Sequence, residues 1–182
     1  MEWLVLFFFL PFVLTLMFFN WLEEKFITIK NREKLEDGEH LIHHRKYKEA
    51  LSFFTEKLKR FPKSAKAHYY RSLCNLQLGN LYSALYDIEQ SLSFDNTVGE
   101  SYVTKGKILY KLEDYDGAFL EFDKADWHFR SENPIALRWR GIARYQIGQR
   151  KNAIEDFQQA VQLGDEDSDY ILRTSFEYIH KI

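Results

Sequence analysis

Between Gly99 and Arg130 the apolar and small residues fall at helical spacing. Tyr102, Gly106 and Leu109 lie four and three apart, and after the short polar stretch EDYD the same holds for Ala118, Phe122 and Ala125. Positions three and four apart share one face of an α-helix. Each stripe therefore predicts a helix, and the short polar join predicts an antiparallel pair. Gly106 and Ala118 let the two backbones approach closely, and Phe122 fills the space beside them.

The second half of that pattern returns along the chain. It reads YKEALSFFTEKLKRFP from Tyr47, LYSALYDIEQSLSFDN from Leu81, YDGAFLEFDKADWHFR from Tyr115 and RKNAIEDFQQAVQLGD from Arg150. Ala50, Ala84, Ala118 and Ala153 stand 34, 34 and 35 residues apart, and Gly38, Ser72, Gly106 and Gly141, twelve residues upstream of each, keep the same intervals. A fixed period of this length marks a repeat architecture and outranks any reading made one residue at a time. Gly79-Asn80 and Gly148-Gln149 supply turns. Asn133-Pro134 opens the last pair as an N-cap followed by proline at the first helical position, and the single inserted residue falls just before it.

Each copy thus offers a small residue in its first helix, then alanine, a large residue and a second small residue. Gly106, Ala118, Phe122 and Ala125 follow this order, as do Gly141, Ala153, Phe157 and Ala160, and Ser72, Ala84, Ile88 and Ser91. The first copy has Gly38, Ala50, Phe54 and Pro62, but Lys34 and Lys57 depart from it. The order resembles that of the tetratricopeptide repeat (TPR) family, over about residues 31–167. The resemblance implies an all-α fold, a right-handed α-solenoid of four helix pairs over 31–64, 65–98, 99–133 and 134–167. Leu172, Phe176 and Ile179 share one stripe within 168–182, as expected of a helix capping an open solenoid end.

Ahead of the repeats, Trp3 to Phe19 carries no charge, and Asn20-Trp21-Leu22 extends the run. At ~1.5 Å per residue this length matches a bilayer core of roughly 30 Å, so residues 1–22 are expected to form one transmembrane helix. Trp3 and Trp21 would sit at the two interfaces, and Pro11 predicts a kink. A cleaved signal peptide fits poorly, because Glu2 is the only charge before the run and no small-residue cleavage pair follows. Lys25, Lys30, Arg32 and Lys34 follow the run and no lysine or arginine precedes it, which places the N-terminus outside and the repeats in the cytoplasm. Residues 23–30 then form a short tether without glycine or proline.

In the TPR family a second stripe on each first helix lines a concave groove where partner peptides lie. Here it comprises Arg32, Leu35, Glu39 and Ile42; Lys66, Tyr69, Leu73 and Leu76; Glu100, Val103, Lys107 and Tyr110; Ile135, Arg138, Ile142 and Tyr145. With Lys111, the basic residues outnumber the two acidic ones, and tyrosines lie between them. The expected partner-binding set is Lys66, Tyr69, Leu73, Lys107, Tyr110, Lys111, Arg138 and Tyr145, and the expected ligand an acidic, partly apolar peptide. The family's clamp for a chaperone's C-terminal carboxylates needs paired lysine and asparagine, which Leu35 with Glu39 and Tyr69 with Leu73 do not supply.

Composition narrows the remaining classes. The 182 residues carry a formal charge of −2, and −1 once the segment with Glu2 is set aside, which gives no support for a nucleic-acid partner. His40 and His44 are one helical turn apart, but two histidines leave a tetrahedral metal site unfilled. Cys74, the single cysteine, lies inside a repeat helix and reads as a buried filler. No phosphate-binding glycine loop, nucleophile elbow or H-E-x-x-H motif is present, so neither an enzyme nor a bound cofactor or metal is expected. The chain is expected to be a membrane-anchored, non-catalytic scaffold that recruits a protein partner. The alternative is a permanent structural subunit of a larger membrane complex, its apolar helix packed against other subunits.

Overall fold

A computed structural model describes residues 13–23 and 35–176. Residues 13–23 are helical and are labelled α1. Nine further helices follow among the described residues: α2 (Glu36–His43), α3 (Tyr47–Arg60), α4 (Ala65–Gln77), α5 (Leu81–Phe94), α6 (Gly99–Lys111), α7 (Tyr115–Phe129), α8 (Pro134–Gln146), α9 (Arg150–Gln162) and α10 (Glu166–Ser175). No strand occurs among the described residues.

Helices α2 to α9 form four antiparallel pairs, and each helix packs chiefly on its neighbours in sequence. The pairing follows from side-chain size. A Cβ built on Gly38 would lie 2.5 Å from the Phe54 ring, and one on Gly106 the same distance from Phe122. Ala50, Ala84, Ala118 and Ala153 are fully buried opposite these positions, and Phe54, Ile88, Phe122 and Phe157 fill the space between the helices of each pair. In the second pair the small residue is Ser72, whose hydroxyl donates to the Ala84 carbonyl at 2.9 Å, so its polar atom is satisfied where glycine has none.

The joins obey local chemistry. Gly79 (φ 81°) and Gly148 (φ 80°) adopt the left-handed conformation in the second and fourth pairs, and Arg45 and Glu113 take it at the corresponding positions of the first and third. Asn133 caps α8, its Oδ1 accepting from the backbone N–H of Ile135 and Ala136 at 3.0 and 3.1 Å, with Pro134 inside the first turn. The inserted residue is absorbed just ahead of that cap, where Arg130 and Ser131 both take positive φ. Ser64, Asp114 and Asp165 cap α4, α7 and α10 through their side chains.

Two expectations meet limits. The first helix of the first pair is described only from Glu36 and spans eight residues against thirteen in α4, α6 and α8. Lys34 and Arg32 lie outside the described residues. The capping helix is α10, with Leu172 buried and Phe176 partly buried against the last pair; Ile179 lies outside the described residues. Trp3, Pro11 and residues 24–30 also lie outside them. Among the described residues no helix is long and apolar enough to cross a membrane.

Candidate functional site

Beyond their partners within each pair, α4 touches α6 and α6 touches α8 more than the second helices of successive pairs touch one another. The first helices therefore crowd along the inner side of the array, and their second stripe faces the groove. Leu35, Leu76 and Val103, counted in that stripe from the sequence, are buried and contribute to packing instead.

Its charges are largely spoken for within the chain. Lys66 lies 2.8 Å from Glu39 of the preceding first helix and sits over the Tyr70 ring at 5.4 Å. Arg138 donates from Nη1 to Asp165 at 2.7 Å and also to Asp167, both from the segment that starts α10. Two of the basic residues expected to meet a ligand are thus already neutralised. Each contact joins residues of different helices or segments, so neither shows in the stripe of a single helix.

Lys107 differs. Its ammonium sits 5.3 Å from the centre of the Trp139 ring, and among the described residues no carboxylate stands at ion-pair distance. Burial, and then the charge of Arg138, hold its pKa below the usual lysine value. Tyr110 packs edge-on against Trp139 and Tyr115, with ring centres 5.8 and 5.2 Å away, and its hydroxyl accepts from Gln146 Nε2 at 3.2 Å. Lys111 is exposed at the C-terminal end of α6. Tyr145 is 42% exposed and contacts Phe176 edge-on. Tyr69 and Leu73 are half-buried on α4. The structure thus gathers Lys107, Tyr110 and Arg138 around Trp139, a residue not singled out in the sequence although it follows Arg138 directly.

A second arrangement went unread in the sequence. Arg71 binds Asp87 through two bonds of 2.9 and 2.6 Å, Lys105 lies 3.4 Å from Glu121, and Arg140 grips Asp156 at 2.7 Å. Asp87, Glu121, Asp156 and Arg140 are all buried. His68 and Asn75 also reach Asp87, and Arg144 also reaches Asp156. Burial pushes the Asp87 carboxyl up, but the bonds from His68 and Arg71 outweigh it and leave it below its ordinary value. The three basic residues and the three acidic residues each recur at 34 and 35 residues, so the signal was present in the period itself. These pairs join the two helices of the second, third and fourth repeats and belong to the packing.

The remaining candidates resolve simply. Cys74 is fully buried, which pushes its thiol up to about 12. The rings of His40 and His44 are 4.1 Å apart, but His44 Nδ1 meets the His40 carbonyl at 2.9 Å, and no three metal-binding side chains converge among the described residues.

Comparison with known proteins places these features. Residues 35–94 match the model of the tetratricopeptide repeat. Hsp70-Hsp90 organizing protein 1 of Glycine max is 37% identical over 86 residues, which cover 47% of this chain and 15% of that protein. The chain therefore spans only a small part of that relative. Among solved structures, Pseudomonas aeruginosa pilF superposes with a TM-score of 0.70 at 17% identity, over 79% of this chain and 68% of that one. The first TPR of Spaghetti, solved with the HSP90 peptide SRMEEVD, gives 0.59 at 16% identity over 62% and 90% of the two chains. At these identities the structures show the fold alone.

Proposed function

We propose, from the match of residues 35–94 to the tetratricopeptide repeat and the repeated helix pairs that continue beyond it, that the chain is a non-catalytic scaffold whose groove holds an acidic, partly apolar segment of a partner protein. The observation that carries the proposal is Lys107, held against Trp139 and beside Arg138 with no carboxylate of its own among the described residues. A carboxylate arriving there gives Lys107 the counter-charge it lacks in a charge-assisted contact, while Tyr110 and Tyr145 supply rigid amphipathic area. The soybean relative is named for organizing Hsp70 and Hsp90, and the Spaghetti repeat was solved with a peptide rich in carboxylates. The glutamates and aspartate of that peptide favour an acidic segment as the ligand class. A chaperone tail held by the family's clamp is disfavoured: Leu35 is buried, Glu39 is engaged by Lys66, and Tyr69 and Leu73 offer no lysine or asparagine.

Reversing Lys107 and Lys111 together to glutamate is expected to weaken partner binding at least about tenfold, or ~1.4 kcal/mol, with wild-type affinity falling as salt rises. The control reverses Lys48 and Lys151, which are exposed on the second helices. Quantitative co-purification compares the three proteins. A groove variant that keeps its partner while the control loses it would place binding on the outer side.

The proposal includes a membrane anchor formed by residues 3–22, with the repeats in the cytoplasm. Supporting it, Val13, Leu14, Leu16, Met17, Phe18 and Phe19 are all exposed on α1, and an apolar helix surface of this kind needs cover. The protein is expected to stay in the pellet after alkaline carbonate washing, and protease outside intact cells is expected to spare the repeats. Release by carbonate would remove the anchor from the account.

The reading as a permanent subunit of a membrane complex has its own support. Tyr82 (80% exposed), Tyr86, Leu120 and Trp127 (76%) leave apolar surface on the outer helices α5 and α7. A detergent-solubilised chain that runs only in a fixed-stoichiometry assembly would favour it.

A further inference from the structure

The inner side carries a second feature that the basic stripe conceals. Between the N-terminal ends of α4 and α6 lies a cavity of about 410 Å³, lined by Ala65, Tyr69, Tyr70 and Val98, with Asp95 and Glu100 among its walls and buried Ser91 and Ser101 beside them. The repeat period explains why it is open. One repeat later, Gly99 stands where Ala65 does and Phe129 where Asp95 does, and there the Phe129 ring packs so closely that a Cβ on Gly99 would lie 2.8 Å from it. An aspartate in place of that phenylalanine leaves the space unfilled and sets a carboxylate in its wall.

The geometry points to this cavity as a binding site for a cationic side chain, arginine or lysine, of the partner segment, which would then carry a basic residue here and an acidic one at Lys107. The inference rests on the groove reading for the partner but not for the cavity itself. Tyr69 presents aromatic surface to a cation, and Val98 offers apolar contact to its methylene stem; the neighbouring Tyr70 ring, centred 5.3 Å from that of Tyr69, already carries Lys66 at 5.4 Å. Lys66, the only cation in the lining, is engaged by Glu39 at 2.8 Å. Asp95 accepts from the backbone and hydroxyl of Thr97 through Oδ1 at 2.9 and 2.7 Å, bonds that hold its carboxyl below the usual range and keep it charged. The volume lies within the ordinary range of small-ligand pockets. The groove is therefore bipolar, acidic where the second and third repeats meet and basic between the third and fourth.

The test is a titration of the full chain in non-ionic detergent with n-butylguanidinium, n-butylammonium, butyramide and butyrate, followed by amide NMR. The two cations are expected to produce saturable shifts at Tyr69, Tyr70, Val98 and Ser101, and the neutral amide and the anion are not. Glu100→Gln is expected to weaken guanidinium binding about fivefold, the size of one exposed charge pair. Asp95→Phe, which copies the filled arrangement of the next repeat, is expected to abolish it with the helical signal retained. Equal shifts with butyramide, or no saturable shift with either cation, would overturn the site. Saturable cation binding together with a partner indifferent to reversal of Lys107 and Lys111 would instead leave the cavity standing and remove the groove reading.

Discussion

Replacing Arg140 by alanine is expected to destabilise the chain by about 3–5 kcal/mol, because it leaves buried carboxylates without their main counter-charge. Arg140 donates from Nη2 to Asp156 at 2.7 Å and from Nη1 to Asp126 at 2.5 Å and Asp123 at 3.1 Å. It therefore ties α8 to its own partner helix α9 and to α7 of the preceding repeat. Asp156 and Asp126 are 2% and 6% exposed, so neither recovers its hydration when the guanidinium goes. Arg144 still reaches Asp156 and Ser131 still reaches Asp126, which keeps the cost from rising further. Denaturant unfolding of the full chain in detergent measures the effect. Replacing Arg140, Asp126 and Asp156 together by leucine is expected to recover most of the loss, since well-packed apolar residues commonly match a buried ion network. A single substitution costing less than about 1 kcal/mol would show that the network contributes little.

Truncating Phe122 to alanine is expected to cost a similar amount, about 3–5 kcal/mol, through lost burial and the cavity left behind. Its ring is fully buried, touches Gly106 across the pair and stacks on Trp139 of the next repeat at 5.9 Å. The loss therefore falls on an interface between repeats as well as within one, and in an array held by neighbour contacts it spreads to the whole cooperative unit. Gly106→Leu on its own is expected to cost about 1–3 kcal/mol by forcing the paired helices apart. Combined, the two changes should cost clearly less than their sum, because the leucine grows into the space the ring vacated. Urea midpoints of the four proteins decide it, and strict additivity would contradict direct packing of Phe122 on Gly106.

The helix pairs were legible because their cause is local and repeated. Gly38, Gly106 and Gly141 against Phe54, Phe122 and Phe157, the Asn133-Pro134 start and the turns at Gly79 and Gly148 all follow from side-chain size and backbone freedom that one copy already displays. The buried pairs Arg71 with Asp87 and Arg140 with Asp156 carried the same period, but charged residues on a helix read first as solvated surface. The groove was legible in outline only. Which of its cations are free depends on contacts from outside their own helix, Glu39 to Lys66 and Asp165 to Arg138, and these require the assembled array. The cavity at Asp95 shows only when one repeat is laid over the next.

The account stands most directly on which side of the array meets the partner, and site-specific photocrosslinking measures that. A benzophenone amino acid replaces one aromatic residue at a time, Tyr110 or Tyr145 on the inner helices and Tyr82 or Trp127 on the outer ones. The account predicts a crosslinked partner from Tyr110 and Tyr145, lost when Lys107 and Lys111 are reversed to glutamate, and none from Tyr82 or Trp127. Crosslinking from Tyr82 and Trp127 with silence from Tyr110 and Tyr145 would contradict it.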